Sequence, residues 1–403
     1  MTIRRIDAAS DNAGVTRENR NALLNSETQS PPPAPRFELL TTSEEVADLA
    51  RALSGESAIA FDTESNSRHG YPEKVCLIQV ATENAVYLID TLAVDDMAPF
   101  GEILSDESTM KVAQGAEYDV RCLDREWGFR IRNLFDTSIA ARFVGMERTG
   151  LSALIESLLG VTIPKLARLQ KSDWARRPIS DEALSYAATD VSHLLDLRTK
   201  LETELTELGR YSWAAEEFVR TEEIRYNGQD PETAFLSMKG ARKLNGRQKA
   251  VLKRLFSVRE AEARRRDRPP YFVLPHEVLM QLAANPNTDL TTIPPLKRQV
   301  RSRLGRQIGA ALQKGQTDPP IKKPPRRTGL PTTPITIERL QELKAWRIEL
   351  GKQLSLDPAL LWPMVSLERL AKAPDTLDTE FTTGDVRRWQ RAEFADGLTA
   401  ALG

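Results

Sequence analysis

Ala58-Ile59-Ala60-Phe61-Asp62-Thr63-Glu64 decides how this chain is read. Four apolar residues make a short buried strand. Two carboxylates close it at i and i+2, a spacing that projects both side chains to one face of a sheet. The carboxyl end of a strand is the ligand-facing edge of an α/β sheet. Two convergent carboxylates on a rigid strand can hold a divalent cation, and oxygen donors favour a hard one such as Mg²⁺ or Mn²⁺. An Asp-x-Glu alone is common on protein surfaces, so the neighbouring segments must add to it.

Working outward, Val75–Val80 and Ala85–Ile89 are apolar strand candidates joined by the turn-like Thr82-Glu83-Asn84. Upstream, Thr42-Ser43-Glu44-Glu45 fits a capping box, and Val46, Leu49, Ala50 and Leu53 give the helix it starts an apolar face. Downstream, a short strand at Lys111–Ala113 leads into a helix from about Ala116, with helical patterns near 137–144, 151–159 and 181–205. Strands followed by alternation with helices predict an α/β domain over 36–215. From 216 the pattern is helical: 216–239 reads as a linker, 240–315 as one helical domain, 316–335 as a Pro-rich linker and 336–403 as a second helical domain of similar size. Residues 1–35, polar and ending in Pro31-Pro32-Pro33-Ala34-Pro35, read as a disordered tail without a signal peptide.

The 403 residues carry a formal charge of −1, which taken alone argues against a nucleic-acid protein. The distribution argues the opposite. Residues 236–330 hold 22 Lys and Arg against 6 Asp and Glu, a surplus of +16, which leaves −17 on the rest. This is the pattern of a basic binding module tied to an acidic body. Only Cys76 and Cys122 occur, with no CxxC, and His69, His193 and His276 are far apart. A disulfide framework, a thiolate zinc site and a His-rich metal site are therefore not expected. No apolar run is long enough for a membrane helix, and no GxxxxGK[ST] phosphate loop is present.

Two further segments carry candidate chemistry. Tyr186-Ala187-Ala188-Thr189-Asp190 places a phenol and a carboxylate on one helical face at i and i+4. Gln114-Gly115-Ala116-Glu117-Tyr118-Asp119 ends a strand, turns, and carries Asp119 into the first turns of a helix. Each has a plainer explanation: Tyr186 as packing, Asp190 as a solvated helix charge, Asp119 as a partner of the helix dipole.

Taken together in this order, Asp62-x-Glu64, Asp119 and Tyr186-x-x-x-Asp190 resemble the three exonuclease motifs of the DEDD superfamily, and the tyrosine resembles its DEDDy branch. The surroundings resemble the ribonuclease D family: Tyr71-Pro72, Cys76-Leu77-Ile78-Gln79, Asp136-Thr137, Leu158-Leu159-Gly160-Val161, Lys165, Gln170, Ser172-Asp173-Trp174 and Arg177-Pro178. The two helical units resemble HRDC domains (helicase and RNase D C-terminal). One departure is Gln114, where that family usually has His.

The resemblance implies an α/β ribonuclease H-like exonuclease domain, a mixed sheet flanked by helices, followed by two all-α HRDC-like domains. It implies metal-dependent 3′–5′ exoribonuclease action on RNA 3′ ends such as tRNA precursors, in the cytoplasm, by a monomer without a nucleotide cofactor. Two divalent cations, Mg²⁺ or Mn²⁺, would be held by Asp62, Glu64, Asp119 and Asp190, with Tyr186 orienting or helping to deprotonate the attacking water. Expected substrate contacts are His69, Tyr71, Gln114, Lys165 and Gln170 near the site, with a packing role as an equal alternative for Tyr71, and Arg242, Lys243, Arg247 and Lys249 in the basic segment. Asp136 is expected to cap a helix, Trp174 to be core, and His193 to act indirectly or at the surface. The same site could act as a 3′–5′ DNA exonuclease on single-stranded DNA. A non-catalytic nucleic-acid-binding adaptor is the alternative from another class, disfavoured by the complete acidic set.

Overall fold

A computed structural model describes residues 35–163, 166–228, 230–322 and 331–402. Six strands form one mixed sheet: β1 (Glu38–Leu40), β2 (Ala58–Ser65), β3 (Val75–Ala81), β4 (Val86–Ile89), β5 (Met110–Ala113) and β6 (Leu134–Asp136). Their order is β1-β4-β3-β2-β5-β6. β3 runs antiparallel to both neighbours, and the other pairs are parallel. β1 and β6 have three residues each, too few to show a period in the sequence.

The pleat of β2 sorts its side chains. Ile59 and Phe61 pack with α1 (Ser43–Leu53), α2 (Ala98–Ser105) and α3 (Glu117–Trp127). Ala60 faces the other side. There it meets α4 (Thr137–Phe143), α5 (Leu151–Leu154, continued by a π turn over Ile155–Leu159), α6 (Asp181–Ser192), α7 (Leu194–Glu207) and α8 (Tyr211–Glu222). Asp62 and Glu64 keep the parity of Ala60 and so emerge under α6, which packs across β2, β3 and β4. The capping box at Thr42 and Glu45 is formed.

The single helical pattern expected over 181–205 is interrupted at His193, whose φ of −111° and ψ of 1° end α6 and start α7. The expected linker over 216–239 starts too early: α8 continues to Glu222 and buries Phe218 in the domain core, because its apolar face runs across the supposed boundary. Phe235 already belongs to the core of the next unit. The tail expected over 1–35 lies, apart from Pro35, outside the described residues. So does the central part of the Pro-rich linker; α13 reaches Thr317 and α14 starts at Pro334 on either side of it.

The first helical unit comprises α9 (Gly246–Arg266), α10 (Pro270–Val273), α11 (His276–Ala284), α12 (Pro294–Lys297) and α13 (Arg303–Thr317). The second comprises α14 (Pro334–Leu354), α15 (Pro358–Leu361), α16 (Met364–Lys372), α17 (Leu377–Glu380) and α18 (Arg388–Leu402). In chain order both sets measure 21, 4, 9, 4 and 15 residues, and the first three helices of each set start 88 residues apart. This is an internal structural repeat. Gly315 of α13 lies where a Cβ would come within 2.5 Å of the Val251 Cα, so the close crossing of α9 and α13 requires glycine there.

The two units attach differently. The first has a core of its own and meets the α/β domain through the loop after β2, where Tyr71 packs against it. The second shares the core of the α/β domain. Trp389 stacks on Trp213 with ring centroids 4.9 Å apart, Arg387 pairs with Glu217 at 2.7 Å, and Arg210 donates to the Leu354 carbonyl at 2.7 Å.

Candidate active site

A cavity of about 1040 Å³ opens between the end of β2 and α6. Asp62 and Glu64 reach it from β2, Tyr186 and Asp190 from α6, and Gln114 from the turn after β5; Gln170 and His193 are among the other polar residues of its wall. Residues 128 apart in sequence thus share one wall. α6 is set by Ser180, which accepts the Ala183 N–H at 3.3 Å. Trp174, fully buried, lies with its ring centroid 6.4 Å from that of Tyr186 and gives the phenol a firm backing.

Asp119 stands behind this wall. It is buried, and its carboxylate accepts the Thr63 hydroxyl, so the strand residue between the two cavity carboxylates ties the helix to the sheet. The turn that delivers Asp119 is held by Asp136 at the end of β6. Its carboxylate accepts the N–H groups of Gly115 at 3.0 Å and Ala116 at 2.7 Å, and it also caps α4 through Ser138 and Ile139. The expected capping role of Asp136 is present, and the clamp on the turn comes in addition. Gln114 is fixed from two sides, donating to the Thr149 carbonyl at 2.7 Å and accepting from Thr137.

Burial and mutual repulsion raise the proton affinity of the clustered carboxylates. Burial, then the charge of Asp190, pushes Asp62 up to about 7. Burial, then Asp62, Asp190 and Asp119, pushes Glu64 up to about 10. Asp190 is pushed up to about 7 by burial, and Asp119 is raised by burial and by Asp62. Tyr186 is raised as well, by burial and by the facing Asp190 carboxylate. Among the described residues no three His, Cys, Asp or Glu side chains close to the spacing of a formed metal cage. The donor set nevertheless fits a hard cation, being four carboxylates whose repulsion a dication would relieve. Gln79, fully buried and paired with Asp62 across β2 and β3, has an amide with no partner at either atom.

Other expected contacts fall elsewhere. His69 donates from its Nε2–H to the Lys171 carbonyl, 2.9 Å away, beside the Gln170 that lines the cavity. Tyr71 is not on the cavity wall. It is a strut to the first helical unit: its hydroxyl meets Glu260, its N–H donates to Asp267 at 2.8 Å, and Arg264 covers its ring. Lys165 lies outside the described residues. Of the basic candidates, Arg242 and Lys243 are exposed, but Lys249 is buried in the face of α9 that packs on its neighbours, and Arg247 is bound to the Asp318 carbonyl. A basic tally cannot separate such residues from free ones, because burial of an aliphatic stem is decided by the helix face.

Thr63, Gln79 and Arg148 had no role assigned from the sequence. Arg148 is exposed on the cavity wall, the Lys or Arg there among the described residues. A lone loop arginine carries no motif, but its cation suits a substrate phosphate. The Ser172–Arg177 stretch is a clamp. Arg177 forks onto Asp90 at 2.6 Å through two nitrogens and reaches the carbonyls of Trp174 and Cys76, fastening the cavity rim to the sheet.

Known proteins resemble this chain over most of its length. A family model described as a 3′-5′ exonuclease matches residues 37–206, and one described as an HRDC domain matches residues 248–312. Ribonuclease D of Granulibacter bethesdensis is 30% identical over 372 residues, covering 90% of this chain and 91% of that protein. Ribonuclease D of Pseudomonas paraeruginosa is 30% identical over 377 residues, 92% of this chain and 98% of that protein. The crystal structure of Escherichia coli RNase D, described as an exoribonuclease involved in structured RNA processing, superposes with a TM-score of 0.71 at 26% identity. It covers 91% of this chain and 98% of the other.

Proposed function

We propose, from the premise that this chain belongs to the ribonuclease D family, that it trims the 3′ ends of structured RNA such as tRNA precursors by two-metal-ion hydrolysis. It is a 3′–5′ exoribonuclease of the ribonuclease D type, a hydrolase. The observation that carries the finer reading is the convergence of Asp62, Glu64, Tyr186 and Asp190 on one cavity, with Asp119 tied in behind through Thr63.

In this reading Asp62, Glu64, Asp119 and Asp190 hold two divalent cations, Mg²⁺ or Mn²⁺, which when bound supply Lewis acidity and an activated water. The chain's own groups do the rest. Tyr186, beside Asp190, orients the attacking water or helps to deprotonate it. Arg148 meets a substrate phosphate at the rim, and Gln114 and Gln170 offer amides to the terminal nucleotide.

The grip on longer RNA falls to the first helical unit, through its exposed cations and through Tyr271 and Phe272. These rings are 49% and 63% exposed, with centroids 4.5 Å apart. The Tyr271 hydroxyl donates to the Arg68 carbonyl at 3.3 Å, in the loop that leaves the carboxylate strand. Exposed aromatic faces beside arginines stack unpaired bases with little sequence preference. Two free, buried cysteines suit a reducing, cytoplasmic compartment. Among the described residues no helix is long and apolar enough to cross a membrane.

The test is direct: matched labelled RNA and DNA, single-stranded and tRNA-like, with Mg²⁺, Mn²⁺ or EDTA. Stepwise release of nucleoside monophosphates from RNA 3′ ends, abolished by EDTA, is the expected result. DNA preferred over RNA would overturn the substrate, and full activity in EDTA would overturn the metals.

A further inference from the structure

Gln79 sits in the middle of β3, wholly buried, and neither its amide oxygen nor its amide nitrogen has a hydrogen-bond partner. The rest of that strand is Val75, Cys76, Leu77, Ile78, Val80 and Ala81, so an apolar residue would suit the position better. A buried polar group left unpaired costs about 1–3 kcal/mol, and such a group in a folded protein calls for an explanation.

Its neighbours supply one. Across β2 and β3 it is paired with Asp62; across β3 and β4 it is paired with Leu88. Directly opposed residues in antiparallel strands project to the same face, with Cβ atoms about 4.5–5.5 Å apart. Leu77 and Ala81, two residues either side, pack in the core beneath α6–α8, as does Ala60, two residues before Asp62. The amide and the carboxyl therefore stand side by side under α6. Asp62 has one donor of its own, the Thr63 N–H at 2.9 Å.

We propose that Gln79 is a positioning residue: its side-chain N–H donates to the Asp62 carboxylate when the site is loaded with cations, fixing the rotamer from which Asp62 grips them. The inference rests on the metal-dependent reading above. Glutamine suits the task because it is neutral. Lys or Arg there would supply a donor but neutralise the charge that attracts the cation, and Glu would add a fifth repelling carboxylate. The orphaned amide is then a cost carried by the metal-free fold for a bond made in the loaded one.

The test uses Gln79→Met, close in size and without the amide, and Gln79→Leu as a second apolar variant should the first fail to fold. Three measurements are made: thermal unfolding in EDTA, Mn²⁺ affinity by calorimetric titration, and kcat and KM on a short oligoribonucleotide. The expected variant unfolds in EDTA at the wild-type temperature or above, binds Mn²⁺ about 10–100-fold more weakly, and loses kcat by a similar factor at unchanged KM. Wild-type Mn²⁺ affinity and kcat in a folded variant would overturn the proposal. So would a marked loss of stability in EDTA, since the amide would then already have been satisfied. Wild-type protein that neither binds Mn²⁺ nor cleaves RNA would overturn the metal reading itself, and the proposal with it.

Discussion

The Asp136 carboxylate accepts the Ala116 N–H at 2.7 Å, and through this bond the end of β6 holds the turn that leads into α3 and Asp119, behind the cavity wall. Asp136→Ala would leave the Gly115 and Ala116 donors of that turn unpaired, along with the two donors at the start of α4. We expect a stability loss of about 1–3 kcal/mol in denaturant unfolding, with kcat reduced because Asp119 is no longer held. An Asp136→Ala variant with wild-type kcat would show that the clamp does not matter to catalysis.

The metal-free site should be sensitive to pH in a definite direction. Asp62 and Asp190 are raised to about 7 and Glu64 to about 10, from 3.8 and 4.5. At these three groups the folded protein then binds more protons than the unfolded chain above about pH 4. Their contribution to stability is complete below the ordinary carboxylate range and is lost as pH rises through 7 and on toward 10. In EDTA the unfolding temperature should fall between pH 5 and 9, and Mg²⁺ or Mn²⁺ should restore more of it at pH 9 than at pH 5. Asp62→Asn should raise the unfolding temperature in EDTA at pH 8, flatten this slope and abolish cleavage. A melting temperature in EDTA that is flat or rising over this range would contradict the coupling.

Tyr186→Phe removes a hydroxyl that faces Asp190 while keeping the ring beside Trp174. Turnover should fall by about 10²–10⁴-fold, with Mn²⁺ affinity and melting temperature close to wild type. Unchanged turnover in single-turnover kinetics would remove Tyr186 from the reaction.

Phe272→Ala should weaken binding of single-stranded RNA by about 1–3 kcal/mol, read by fluorescence anisotropy with an Asp190→Asn background to prevent cleavage. In the wild-type background, cleavage of a dinucleotide should be unaffected. Full affinity for long RNA would leave the exposed aromatic pair without this role.

Much of the site was legible because its residues fall at spacings that secondary structure converts into direction. Asp62 and Glu64 share a strand parity, and Tyr186 and Asp190 share a helical face; both patterns are local. The internal repeat was visible as similar size and pattern, and the structure makes it a match of helix lengths. Charge patterning located the basic unit, but a count of charges could not tell the buried Lys249 or the tethered Arg247 from the exposed Arg242 and Lys243.

Sequence alone determined the strand that carries the carboxylates, the helix that faces them and the division into an α/β part and a helical part, because periodicity and capping act over a few residues. Only the tertiary structure decided which residues meet. It set Thr63 against Asp119, Asp136 under the turn at Ala116, Gln79 beside Asp62, and Tyr71 on the first helical unit instead of in the cavity. It also merged the second helical unit into the core of the α/β domain. Each of these depends on strand order, register and the shared burial of distant apolar faces, and none of those is fixed by spacing along the chain.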